Sequence, residues 1–162
     1  MTECNSQIDL FSIGRRTVTA SFDDLQLTSD GGVLFLHRID SRLRLTERLA
    51  AAMVDPRDPA RVRHSLRELL MQRIALICAG YEDANDATAL RYDTRSQLAL
   101  GRVPGEAPLA SQPTLSRFEL RPRRDLLSLS NVLLDLWVER LKRKAKKTKK
   151  RLRIILDFDS TD

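Results

Sequence analysis

Cysteine and histidine are scarce in this chain, two of each in 162 residues. Cys4 and Cys78 lie far apart and neither belongs to a Cys-x-x-Cys pair, so the spacing of a zinc site is missing. His37 and His64 stand alone, which removes a Cys/His cluster from consideration. Cys78 falls within an apolar stretch and is expected to be a small buried hydrophobe. No apolar run approaches the ~20 residues that span a bilayer. The opening Met-Thr-Glu-Cys-Asn-Ser has neither a basic nor an apolar segment of the kind a signal peptide needs. These absences favour a cytoplasmic protein with reduced thiols.

What is present is charge, and it is unevenly placed. The net charge is +6, from 28 basic and 22 acidic residues. Between Arg140 and Arg153 the chain carries ten basic residues and no acid: Arg140, Lys142, Arg143, Lys144, Lys146, Lys147, Lys149, Lys150, Arg151 and Arg153. Without those ten, 18 basic residues stand against 22 acids, a balance of −4. So dense a patch attracts polyphosphates through counterion release. The plainer reading is a solvated connector or a helix end whose cations suit the dipole.

A hydrophobic fraction of 42% suffices for one core, and 162 residues suit one domain or one domain and part of another. Thr17 to Phe22 reads as a short strand or extended arm. Val33, Leu36, Ile39 and Leu43 recur at helical spacing, with Asp30 as a candidate cap. A second helix fits Thr46 to Met53, capped by Thr46 and stopped by Asp55-Pro-Arg-Asp-Pro59. Ser65 and Glu68 have the spacing of a capping box. Leu66, Leu69, Leu70, Ile74, Ile77 and Cys78 would then share a face, with Gly80 as the terminator. Short helices are expected over 86–92 and 94–100, the second closed by Gly101.

Ser111 is a good cap for a helix over Gln112 to Glu119, with Leu115 and Phe118 turned inward. Thr114, Ser116 and Arg117 are left on the outer side. Small hydroxyl residues and an arginine suit the recognition helix of a helix-turn-helix, the arginine for guanine and the hydroxyls for phosphate or base edges. A plain packing helix is the competing interpretation. From Asp125 a long helix begins, with Leu126, Leu129, Leu133, Leu136, Trp137 and Leu141 as a wide stripe for the core or a partner helix. The last segment, Leu152 to Asp162, is an apolar run ending in carboxylates. It reads as a buried strand with Asp157 and Asp159 on one face. A carboxylate pair at such a strand end suits a divalent metal or an aspartyl nucleophile. A core strand running into a polar turn fits the same residues.

Three stretches carry a resemblance: Gly80-Tyr-Glu-Asp-Ala-Asn-Asp86, Leu109-Ala-Ser-Gln-Pro-Thr-Leu-Ser-Arg-Phe-Glu119 and Ile155-Leu-Asp-Phe-Asp-Ser-Thr-Asp162. With Thr28-Ser-Asp-Gly-Gly, they make the chain similar to the N-terminal part of DDE-type transposases of bacterial insertion sequences. It departs at Leu120, where that family usually has Asn. The resemblance implies a mainly α N-terminal bundle of short helices over 1–139, with a candidate helix-turn-helix. A basic connector over 140–151 and the first strand of an RNase H-like α/β domain over 152–162 would follow. It also implies binding of transposon-end DNA at the terminal inverted repeats, a homo-oligomer in the full-length enzyme, no membrane, and a bacterial, nucleoid-associated setting. The chemistry would be phosphoryl transfer by two divalent metals, Mg²⁺ or Mn²⁺, held by three carboxylates. Asp159 matches the first of these, with Asp157 as the fallback. A chain ending at Asp162 would hold no counterpart of the other two and would be inactive alone. The expected DNA contacts are Thr114, Ser116, Arg117, Lys142, Arg143, Lys144, Lys146, Lys147, Lys149, Lys150 and Arg151. Two alternatives stand beside this: a stand-alone helical DNA-binding or regulatory module, and part of a haloacid-dehalogenase-like phosphatase. The latter resembles Asp157-Phe-Asp159-Ser-Thr161, with Asp157 as nucleophile and Asp159 as acid/base.

Overall fold

The computed structural model describes residues 7–21, 30–120 and 122–148. Among them, six α-helices follow a two-stranded antiparallel hairpin. The hairpin pairs β1 (Gln7–Ile13) with β2 (Arg16–Ser21), so the expected strand near Thr17 has a partner that the sequence reading did not place. A two-residue loop opened by Gly14, at φ +59°, makes the reversal, as a Gly-first hairpin turn requires. A bulge between Asp9 and Phe11 accompanies the inward Leu10, and the Phe11 ring lies 4.4 Å from that of His37.

After a 3₁₀ turn at Gly31–Val33 come α1 (Leu34–Leu43) and α2 (Leu45–Ala51), joined at Arg44 in the left-handed region. Asp30 does not cap this start. Its carboxylate pairs with Arg95 at 2.5 Å. Thr46 is not a cap either. It is buried, and its amide and hydroxyl both donate to Asp40, each at 2.7 Å. A short-range reading of Thr46 could not see this, because the acceptor comes from the preceding helix.

The central helix, α3 (Leu66–Cys78), has the expected Ser65/Glu68 capping box. Burial pushes the Glu68 carboxyl up, but Arg102 and the Ser65 amide outweigh it and hold it below the ordinary carboxylate range. Gly80, at φ +91°, ends α3: its amide donates to Ile77 and that of Tyr81 to Leu76. The buried face is Leu66, Leu69, Leu70, Met71, Gln72, Ala75 and Leu76. Ile77 and Cys78 are exposed, correcting their expected burial, because the core-facing arc has turned away by the last turn. Residues 86–92 form two 3₁₀ turns, Asn85–Ala87 and Ala89–Tyr92, rather than one helix.

Beyond α4 (Thr94–Ala99), Gly101 passes so close to His37 that a Cβ would sit 2.7 Å from its ring. The loop 100–111 leads to α5 (Gln112–Glu119), whose Leu115 and Phe118 are buried as expected. A helix-turn-helix joins its helices by a 3–4-residue turn, and this loop is far longer, so α4 and α5 do not make that motif. The last helix, α6, runs Arg123–Thr148 without a break. Residues 140–148, expected as a connector, are therefore its final turns, where cations suit the helix C-terminus. The main core gathers Leu49, Met53, Leu66, Leu69, Leu70, Leu115 and Phe118, with Leu129 and Val132 of α6 against it.

Candidate nucleic-acid interface

The position of α5 is set by buried polar side chains. The Gln72 amide makes two 2.9 Å bonds to the backbone of Ala110, donating to its carbonyl and accepting from its N–H. Gln97 donates to the Ala107 carbonyl and accepts from the Gly105 amide, both at 3.0 Å. Arg91 donates to the Leu109 carbonyl at 3.0 Å. The irregular loop is thereby held from three sides through the backbone of Gly105, Ala107, Leu109 and Ala110. On the far side Arg73, from α3, donates to the carbonyls of Tyr81, Glu82 and Asp83 and pairs with Glu119. The turn 80–86 and the end of α5 thus meet on one guanidinium.

Held this way, α5 forms one wall of a cleft of about 520 Å³. Val54, Leu69, Phe118, Leu120 and two prolines supply its apolar surface. Six arginines line it, Arg57, Arg61, Arg63, Arg91, Arg117 and Arg124, with one acid, Asp125. Four of the six have protein partners. Arg57 forks onto Asp55 at 2.7 and 2.6 Å and donates to the His64 carbonyl at 3.0 Å. Arg61 is 3.6 Å from Asp58, and Arg124 is 3.9 Å from Asp125. Arg91 also lies 6.0 Å from the Tyr92 ring centre. Arg63 and Arg117 are exposed and have no protein acceptor among the described residues. His64 lines the same cleft; burial, then Arg102, Arg91 and Arg57, push its pKa down despite Glu68.

Of the three α5 residues named from sequence, Thr114 and Arg117 face this cleft together. Ser116 does not line it; its hydroxyl accepts from Gln112 at 3.1 Å. Lys142, Arg143, Lys144, Lys146 and Lys147 are exposed on the last turns of α6, Arg143 being 3.8 Å from Glu139. Cleft and basic end belong to opposite ends of α6: Arg124 and Lys144 are twenty residues apart, ~30 Å along the axis. The expected contacts Lys149, Lys150 and Arg151, and the carboxylates Asp157 and Asp159, lie outside the described residues. Among the described residues no group of three His, Cys, Asp or Glu could hold a metal ion. No helix there is long and apolar enough to cross a membrane.

The sequence reading missed Arg57, Arg61, Arg63, Arg91 and Arg124. The run Arg57 to Arg63 was the available signal, but nothing local shows that its cations meet those of Arg91 and Arg117. An arrangement of this kind, forked cations over an apolar surface with two guanidinium groups unengaged, suits phosphate and base edges. The family model described as Transposase DDE domain group 1 matches residues 11–162, all but the first ten. No curated protein and no solved structure matches the chain.

Proposed function

The chain belongs to the DDE transposase family, and from that premise we propose that its helical region binds transposon-end DNA through the arginine-lined cleft. The family generally binds DNA and is generally dependent on divalent metal. The observation that carries the reading is the meeting of Thr114 and Arg117 with four further arginines and the unengaged Arg63 around one concavity. In this reading Arg117 reads a base edge from the exposed side of α5, and Thr114 contacts phosphate or a neighbouring edge. Arg63 neutralises phosphate and sets the register. The exposed cations Lys142 to Lys147 then follow the backbone at the other end of α6. A separation of ~30 Å corresponds to about nine base pairs, so one duplex can engage both regions. We further propose that the protein acts as a homo-oligomer. A stand-alone regulatory module would use the same cleft; the family membership favours the transposase.

The test compares Arg117→Ala with the parent on end-sequence and scrambled duplexes, beside a melting curve. A loss of ~1–3 kcal/mol on the end sequence, little on scrambled DNA and an unchanged melting point is the expected result. Equal losses on both duplexes with a lowered melting point would make α5 a packing helix only.

A further inference from the structure

Helix α6 has two apolar faces, and among the described residues only one packs on the core. Leu129 and Val132 pack on the main core, and Glu139 accepts from Arg48 of α2 at 2.9 and 3.2 Å. At 3.6 residues per turn the opposite side carries Leu126, Leu127, Leu133, Leu134 and Trp137, which are between 46% and 58% exposed. Ser130 and Leu141 fall on that same arc. The five large side chains present roughly 500 Å² of apolar surface, the upper part of the range for the largest patch on a monomer.

We propose that this face is an interface with a second copy of the chain, the two α6 helices running antiparallel about a two-fold axis between Leu133 and Leu134. The proposal rests on the oligomeric reading above and names its surface. A two-fold interface must complement itself, and this one does. About that axis Leu126 shares a level with Leu141 and Ser130 with Trp137, so the bulky Trp137 falls opposite the small Ser130, while Leu133 and Leu134 each lie beside their own counterparts in the other copy. Two copies would bury roughly 1,000 Å², the threshold for a specific interface. Charge selects the direction. A parallel pair would set Lys142, Arg143, Lys144, Lys146 and Lys147 beside the same residues of the other copy. An antiparallel pair places those ends on opposite sides of a seam about 22 Å long. At each end Lys144 of one copy approaches Arg123 of the other, so salt strengthens the association by screening like charges. DNA binding through the cleft responds in the opposite sense.

Sedimentation velocity of the full chain, without DNA, at about 50 and about 500 mM salt tests this. A reversible dimer that tightens severalfold at the higher salt is expected. Trp137 is the single tryptophan, and its emission should shift to the blue as the dimer forms. The double change Leu133→Glu with Leu134→Glu should raise the dissociation constant by at least about a hundredfold. The melting curve of the dissociated chain should not move, because both side chains face solvent in one copy. In a Cys4→Ser, Cys78→Ser background, Leu134→Cys should cross-link two copies and Leu126→Cys should not, its two copies being about 22 Å apart. A parent chain that stays monomeric, alone or bound to anionic vesicles through this face, overturns the oligomeric reading and the seam together. A dimer that survives the double Glu change, or that cross-links equally at both positions, keeps the oligomer and overturns this seam.

Discussion

The pKa of His64 is pushed down by burial first and by the neighbouring guanidinium groups of Arg102, Arg91 and Arg57 second, against Glu68. A phosphate in the cleft would reverse the second cause. It would raise the His64 pKa, so binding would take up a proton and tighten as the pH falls. In the free protein the sign is opposite. A base with a lowered folded pKa costs stability as the pH falls from its unfolded value through its folded one. Anisotropy titrations of end DNA at about pH 6 and pH 8 should therefore show tighter binding at the lower value, and His64→Gln should remove that difference. A pH-independent affinity for the parent chain would place the DNA away from His64. This coupling was not legible in the sequence, where His64 is a lone histidine before a capping serine. Its neighbours Arg91 and Arg102 come from elements well downstream, so only tertiary structure supplies them.

Among the helices, α3 and α5 show what local pattern can and cannot give. The capping box of α3, its Gly80 terminator and the inward Leu115 and Phe118 of α5 all follow from spacing, and all are present. Such features depend on residues within one or two turns. The strut between the two helices does not. Arg73 is only 15% exposed in its side chain, and it holds three carbonyls of the 81–83 turn as well as Glu119. Removing it leaves the part-buried Tyr81 carbonyl without its donor and releases the other carbonyls and the exposed Glu119 from the strut. Arg73→Met should cost about 3 kcal/mol in urea denaturation. Arg73→Lys should recover little of it, since an ammonium cannot reproduce the fork. A cost below about 1 kcal/mol would mean that Gln72 and the apolar packing of α5 hold it unaided. The stripe on α6 was also visible from spacing, but its two faces were not separable. Periodicity marks a side as apolar without saying which neighbour covers it, so the stripe was read as core or partner-helix surface, and Trp137 is half exposed on the side that the core does not cover.

At the scale of the molecule, a basic patch was legible as ten cations without an acid between Arg140 and Arg153. The cleft was not, because its arginines are spread from Arg57 to Arg124 and paired acids dilute each local stretch. Folding concentrates them on one concavity while Asp55 and Asp58 are occupied. The described residues thus carry two basic regions, one concave with an apolar surface and one convex along a helix, joined by α6. In the proposed function, non-specific affinity would belong to both, and sequence preference to the first alone. In the proposed function the cleft holds phosphate. The most direct test is the salt dependence of affinity for a duplex of about 20 base pairs, comparing the parent chain with Arg63→Ala/Arg117→Ala. On a log–log plot the double variant should be flatter by about 1–2 units, near 0.9 for each phosphate that the variant leaves unneutralised. Parallel lines for the two proteins would contradict the account.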